Sequence, residues 1–561
     1  MADTKREIER KYETRDGALP ELTGVPGVAS VLDKGVAHLD ATYYDTADQR
    51  LTSAALTLRR RTGGTDAGWH LKFPVAPGVR DEIRAPLSDD LPDSLARLVR
   101  SRVREHELRP VIRLRSDRDV RHLLDAAGRL LAEVSLDAVH AERLTGDGGT
   151  ARWTEIEVEL ADGGDPAFLD KVEKRLRKAG ASPSTSASKL ARALAETAGG
   201  DSPASASTSA PAPAPAPASA PASGPAVAPA GSAGATATGP ASKAGKRKRR
   251  KTGEPVTAGD HVLAYVREQR DALVGLDPAV RQDVPDAVHR MRVATRRLRS
   301  TFRTFGTVLD REVTDPIATD LKWLAAELGL DRDQEVLAER LRTALDDLPG
   351  TLVHGPVRDR LTAWSRAGHS GAHSQVTAIL DSRRYLTLLD TLDALLTDPP
   401  LRKKAAAKPG KVLADAVRKD LDKLSGLITQ ALDLPPGQDR DLALHEARKK
   451  TKRTRYAAEA AAPALGAPAT DLVKAMKTLQ GLLGDHQDSV MARQTLSELA
   501  AVAHAAGESG FTYGVLYGRE ERRAEIAETE LPGAWASMSK AIGKPFREPF
   551  EKPIEKPIGK P

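Results

Sequence analysis

The 561 residues contain no cysteine, which excludes a disulfide framework, a thiolate nucleophile and any zinc–sulfur site. Chemistry must come from carboxylates, amines, guanidiniums and imidazoles. Aromatic residues make up 4% of the chain, too few to supply stacking platforms for single-stranded nucleic acid. No apolar run approaches the roughly 18 residues of a membrane span, and the opening Met1-Ala2-Asp3-Thr4-Lys5-Arg6-Glu7 lacks the apolar centre of a signal peptide. A cytoplasmic protein with no membrane partner is expected. Most of the formal charge of +7 sits between positions 201 and 255, in Lys243 and the run Lys246 to Lys251. Anion binding therefore has to be argued from where charges lie within each domain.

From Pro203 to Pro240 the chain is almost wholly Ala, Pro, Ser, Gly and Thr, a composition that cannot bury enough apolar surface to offset the entropy of ordering. The expected organisation is a first domain over 1–198, a disordered linker with its basic cluster over 199–255, a second domain over 256–540, and a disordered Lys-Pro tail over 541–561. A flexible linker of ~55 residues spans ~40 Å, so the flanking domains should move independently.

Before the linker the apolar period is two: Trp69, Leu71 and Phe73 alternate with His70 and Lys72, and Ile156, Val158 and Leu160 with Glu155, Glu157 and Glu159. Helical patterns interrupt at Ser94–Arg104 and Pro166–Ala179, which predicts an α+β domain with an antiparallel sheet or barrel. After the linker the period is 3.6 and Ala and Leu dominate, so that part is all-helical.

Each predicted strand has one charged face: Glu7, Glu9 and Lys11; Arg59 and Arg61; His70 and Lys72; Arg80, Glu82 and Arg84; Glu155, Glu157 and Glu159. Any one strand of this kind reads as half-buried, with its polar face in water. Three glutamates on one face, however, repel unless a cation or facing arginines offset them. If the sheet closes with these faces inward, the lumen holds carboxylates for Mg²⁺ or Mn²⁺ and cations for phosphate, the inventory of phosphoryl transfer.

Glu7-x-Glu9-x-Lys11 resembles the ExExK signature of the CYTH superfamily, the triphosphate tunnel metalloenzymes. The likeness continues through Leu58-Arg59-Arg60-Arg61, Trp69-His70-Leu71-Lys72-Phe73-Pro74, Leu131 to Asp137, Glu155 to Leu160 and Ser188-Lys189. The resemblance implies an eight-stranded antiparallel tunnel that hydrolyses or cyclises a triphosphate with divalent metal. It implies Glu7, Glu9, Asp137, Glu157 and Glu159 as metal ligands, direct or through water. Lys11, Arg59, Arg61, Lys72 and Lys189 would hold phosphate oxygens, and Glu7, Glu9 and Lys11 form the catalytic signature. Arg118 resembles the family's mid-chain strand arginine, with Arg113 and Arg115 competing for that place on the opposite parity. Arg60 has the wrong parity for the tunnel, and Glu133 and Glu155 are at best supporting groups.

In the helical half, His289, Arg292, Arg296, Arg299 and Arg303 are spaced 3, 4, 3 and 4, one narrow helical stripe. Shifting the first four by 156 gives His445, Arg448, Lys452 and Arg455, and Leu328-Gly329 with Asp333 recurs as Leu483-Gly484 with Asp488 at an offset of 155. Two similar bundles related by a pseudo-two-fold axis are expected. A basic stripe is ordinarily a solvated face, but like charges at these spacings destabilise a helix unless a polyanion faces them. The two stripes resemble those of the CHAD domain, with Arg383-Arg384-Tyr385 as a further shared element. This implies inorganic polyphosphate binding without catalytic machinery. Glu459 stands where Arg303 stands in the first repeat, which shortens the second stripe. Nucleic acid would also suit a basic groove, but the absence of aromatic platforms disfavours it.

Together these readings point to metal-dependent hydrolysis of inorganic triphosphate in a CYTH tunnel, tethered to a CHAD module that binds polyphosphate and would place the protein at polyphosphate granules. The alternatives are another CYTH activity (thiamine triphosphatase, nucleoside triphosphatase or adenylate cyclase) or a non-catalytic polyphosphate-associated scaffold.

Overall fold

The computed structural model describes residues 3–14, 17–146, 148–198, 254–369, 372–542 and Phe546. Nearly all of the expected linker and of the expected tail lies outside them. The first domain runs β1 (Asp3–Glu13), β2 (Ser30–Asp45), α1 (Arg50–Ser53), β3 (Thr57–Thr62), β4 (Gly68–Ala76), β5 (Val79–Ala85), α2 (Asp93–Val103), β6 (Arg109–Leu124), β7 (Leu130–Arg143), β8 (Thr150–Leu160), α3 (Ala167–Lys178), β9 (Ser182–Pro183) and α4 (Lys189–Glu196). Strands neighbour one another in the order β5-β4-β3-β2-β6-β7-β8-β1, all antiparallel. The long β1 closes the ring, pairing with β5 through Asp3–Ile8 and with β8 through Glu9–Glu13. The result is a closed antiparallel barrel, one of the two forms the alternation predicts, with the eight strands the family resemblance implies and short β9 added beside β1.

Helices cover the barrel's apolar outer face. Phe168, Leu169, Val172 and Leu176 of α3 pack on Val134, Ile156 and Val158, and Leu95, Leu98 and Val99 of α2 pack on Leu58, Trp69, Leu71 and Ile83. Each such side chain contributes about 2 kcal/mol on burial. With the apolar face committed outward, the alternate residues, which carry the charges, face inward. One end of the interior is apolar and is filled by α4, whose Leu190 and Ala193 meet Ala41, Tyr43, Ile112, Leu114, Val139, Ala141 and Trp153.

The second domain is all-helical: α5 (Ala258–Arg281), α6 (Ala287–Thr304), α7 (Arg311–Glu327), α8 (Leu330–Asp346), α9 (Val357–His369), α10 (Ala372–Asp381), α11 (Arg383–Thr397), α12 (Pro409–Asp433), α13 (Gln438–Leu465), α14 (Ala467–Ala505) and α15 (Phe511–Ala541). Met291, Ala294, Leu298 and Phe302, at helical spacing on α6, enter a core shared with α5, α7 and α11 to α14, which turns the basic stripe away from it. Helices α8, α9, α14 and α15 form a second core around Leu341, Leu361, Leu496 and Tyr513. The repeated helices α6 and α13 pack on each other.

The linker's length suggested domains moving independently, but in the structure they touch. Helix α2 of the barrel domain packs against α5 of the helical domain.

Candidate functional site

A cavity of about 530 Å³ runs inside the barrel, and basic side chains outnumber acidic ones along its wall. The strand register sets their pairing. Glu7 lies opposite Arg80, Lys11 opposite Glu157, Arg118 opposite Asp137 and Lys72 opposite Glu82. Carboxylates also face one another, Glu9 and Glu133 each with Glu159, and Glu13 and Asp137 each with Glu155, and such pairs need a cation between them.

The side chains supply one. Lys189 is the first residue of α4, whose N-cap Ser188 accepts from the Ala191 amide. Its Nζ lies 2.8 Å from Asp137 Oδ2, 2.8 Å from Glu155 Oε1 and 2.6 Å from Glu157 Oε1. An ammonium at a helix N-terminus is unfavourable on its own, so the Ser188-Lys189 pair works only because three carboxylates receive it. Burial pulls the Lys189 ammonium down, but those carboxylates outweigh it and hold its pKa well above the usual lysine value. Arg118 donates to both oxygens of Asp137 at 2.7 Å and to Glu157 at 2.6 Å.

Around the same lumen Lys72 pairs with Glu7, Lys11 with Glu157, and Lys5 with Glu159 at 2.7 Å. Burial, with Glu82 adding to it, raises the Glu7 carboxyl above the usual range against the pull of Lys72. Burial also acts on Glu9, yet Lys11, Lys72 and Lys189 hold its carboxyl below that range. The two signature glutamates therefore differ in acidity. Arg61 pairs with Asp66, while burial and its neighbours Arg59 and Arg118 push its guanidinium down to about 9. The Nε atoms of Arg59 and Arg61 are buried without a hydrogen-bond partner. Crowded cations with unsatisfied donors are what a multiply charged anion would relieve.

Every residue the sequence assigned to this site lies at the cavity wall or directly behind it. Glu7, Glu9, Lys11, Arg59, Arg61, Lys72, Arg118, Glu157, Glu159 and Lys189 line the wall, and Asp137 is fully buried behind it. Arg113 and Arg115 point outward to Asp40, leaving Arg118 as the β6 arginine of the lumen. Arg60 also lies outside, on Ser88 and Asp89. Glu155 is closer to the chemistry than expected: ligand atoms of Asp137, Glu155 and Glu157 lie within 4.8 Å of one another. Oxygen-only donors of this kind fit a hard divalent cation. Glu133 lines the cavity 3.1 Å from His122 Nε2.

Sequence reasoning assigned no role to Glu82 or Tyr43. Glu82 is fully buried, 2.9 Å from His70 Nδ1 and 3.4 Å from Lys72 Nζ, and it also receives Arg84. Against the burial penalty, His70, Lys72 and Arg59 hold its carboxyl far below the usual range. Its signal was present as the alternation Arg80-x-Glu82-x-Arg84. The Tyr43 hydroxyl lies 3.4 Å from Arg59 Nη1 at the closed end, and no sequence feature separates it from the other inward aromatics.

In the helical domain His289, Arg292, Arg296 and Arg299 on α6 and His445, Arg448, Lys452 and Arg455 on α13 are half-buried, while Arg303 is exposed. Burial, then Arg303 and Arg296, push the Arg299 guanidinium below its usual value. Glu459 bridges the two helices, 3.1 Å from Arg297 and 3.3 Å from Arg455. The first of the repeated glycines has a physical reason: a Cβ on Gly329 would meet Arg292 Nη2 at 2.7 Å, whereas one on Gly484 would meet Arg448 Nε at an ordinary 3.9 Å. His445 Nδ1 contacts Gln487, and Arg448 lies 3.8 Å from Asp488. The Asp333 side chain is outside the described residues. Arg384 stacks over Trp323 at 4.3 Å.

Comparison with known proteins accords with both halves. The CYTH domain family matches residues 5–194 and the CHAD domain family residues 264–497. The protein Rv2226 of Mycobacterium tuberculosis strain H37Rv, itself uncharacterized, is 36% identical over 558 residues, covering 96% of this chain and 97% of the relative. Among solved structures, PptA from Streptomyces chartreusis matches with a TM-score of 0.43 at 22% identity, covering 50% of this chain and 99% of that one. The CHAD domain from the plant Ricinus communis matches with a TM-score of 0.39 at 24% identity, covering 53% and 97%. The CYTH match places the first domain in a metal-dependent family that binds triphosphate-type substrates. The chain belongs to the CYTH–CHAD family. No helix among the described residues is long and apolar enough to cross a membrane.

Proposed function

We propose that the barrel hydrolyses inorganic triphosphate to pyrophosphate and phosphate, and that the helical domain binds inorganic polyphosphate. One observation carries the reading: a single closed lumen brings together an oxygen-only carboxylate set and a surplus of crowded cations. Pure anion binding would gain nothing from the carboxylates. Along the wall, Tyr43 and the His122 imidazole are the aromatic groups among the described residues, which supports a substrate without a nucleobase.

In this reading Lys11, Arg59, Arg61, Lys72, Arg118 and Lys189 hold the phosphate oxygens and spread the substrate's charge. The cluster of Asp137, Glu155 and Glu157, together with Glu7, Glu9 and Glu159, would hold Mg²⁺ or Mn²⁺. Such an ion supplies charge neutralisation and acidifies water. The tunnel's internal ion pairs exchange partners on loading, with cations passing from carboxylate to phosphate. A glutamate freed in this way orients the attacking water and takes its proton, and pyrophosphate leaves in line. No nucleophilic side chain is required.

The basic stripes of α6 and α13, led by His289 and His445, would grip a polyphosphate chain, and residence at polyphosphate granules would follow. Phosphorus NMR of the reaction with tripolyphosphate tests the chemistry. One pyrophosphate and one phosphate per substrate are expected, and cyclic or nucleotide-only products in a panel with ATP and thiamine triphosphate would overturn it.

A further inference from the structure

The contact between the domains is built from charge. At the end of α2, Arg104 is 7% exposed and its backbone turns to φ 61, ψ −122, a strained conformation for a residue with a Cβ. This turn directs its guanidinium to Asp390 and, at 2.6 Å, to Asp393 of α11. Arg100 lies 3.7 Å from Asp381 of α10. Ser101 and Asp277 are both fully buried. Arg281 closes the far side, donating to Asp277 at 2.8 Å, to Asp381 at 2.6 Å and to the Leu380 carbonyl at 2.9 Å. Arginines of one domain thus enter an acidic socket formed by three helices of the other.

We infer that this socket is a self-sufficient docking interface, so that the barrel and helical domains stay associated without the linker. An incidental surface contact would leave its ion pairs exposed, where they contribute little. Here a strained, buried arginine is held by two carboxylates that are themselves partly exposed, and removing those carboxylates strands the buried guanidinium. The interface also sits at a structural junction. Arg281 ends α5 just before the turn into α6, where the basic stripe begins, and α2 follows β5, which carries Arg80 and Arg84 of the tunnel wall. Docking therefore fixes the groove relative to the tunnel, whether or not the tunnel hydrolyses triphosphate.

The test uses the full chain with a specific protease site placed within 199–253, cut and then passed over a sizing column in 50 mM NaCl. The two fragments of the wild-type sequence are expected to co-elute. In Arg104→Glu they are expected to separate, through association at least ~30-fold weaker. Adding Asp390→Arg and Asp393→Arg to that variant should restore co-elution. Asp390→Asn/Asp393→Asn tests the interface from the other side if Arg104→Glu fails to fold. Wild-type fragments that separate at 50 mM NaCl, or variant fragments that co-elute as tightly as wild type, would overturn the inference.

Discussion

Lys189→Met isolates the three carboxylates that the Lys189 ammonium neutralises. Its removal leaves Asp137, Glu155 and Glu157, with oxygens within 4.8 Å of one another, sharing Arg118 and, at Glu157, Lys11 as their remaining close cations. Breaking a buried ion pair from one side costs about 3–5 kcal/mol, and Arg118 keeps the loss near the lower figure. For a domain of this size each kcal/mol moves the melting temperature by about 2–4 °C, so the barrel should melt about 10 °C lower without metal. The same substitution removes the competitor for those oxygens. Mg²⁺ or Mn²⁺ should therefore stabilise the variant more than wild type, with about 2.7 kcal/mol returned at a hundredfold excess over the dissociation constant. Scanning calorimetry in EDTA and in MgCl₂ reads both effects. An unchanged melting temperature, or a drop with no larger metal response than wild type, would refute the assignment of these carboxylates to a cation site.

Glu82→Gln should raise KM for tripolyphosphate about tenfold with a smaller change in kcat, because Glu82 orients Lys72 and Arg84 from behind the wall; a selective loss of kcat in steady-state kinetics would contradict this. Gly329→Ala should displace Arg292 and weaken polyphosphate binding about tenfold, the loss of one charge-assisted contact, whereas Gly484→Ala, with its nearest neighbour at 3.9 Å, should be tolerated; titration calorimetry compares them. Burial raises the Glu7 carboxyl above 4.5, so the folded chain binds this proton more readily than the unfolded chain. The group's contribution to stability is full below that pH and is lost as pH rises through the folded value. A cation needs the carboxylate, so metal-induced stabilisation should grow over the same window; thermal shifts that run parallel with and without MgCl₂ between pH 4.5 and 7.5 would contradict this.

The charged strand faces were legible because a two-residue period survives in any pairing, and Trp69-His70-Leu71-Lys72 shows it without a structure. What periodicity could not supply was register. Arg113, Arg115 and Arg118 all lie on β6, and only the pairing of β6 with β2 and β7 turns Arg118 toward Asp137 and the other two toward Asp40. Register also explains Glu155, whose place beside Asp137 and Glu157 depends on Asp137 facing it across β7 and β8. The repeated basic stripes could be read from helical spacing alone, but the reason for Gly329 behind the first of them required the packing of Arg292. Docking of the domains was hidden for a different reason. Arg100, Arg102 and Arg104 look like the solvated end of a surface helix, and their partners lie more than 150 residues further along the chain, beyond a linker that suggests independence.

The most direct test of the account is phosphate release from tripolyphosphate by the purified full chain in Mg²⁺ and in Mn²⁺, against Glu7→Ala/Glu9→Ala under identical conditions. Metal-dependent release that falls by orders of magnitude in the double variant is the predicted result. No release by the wild-type chain in either metal, with polyphosphate still bound, would contradict the central claim and leave the helical domain as the functional centre.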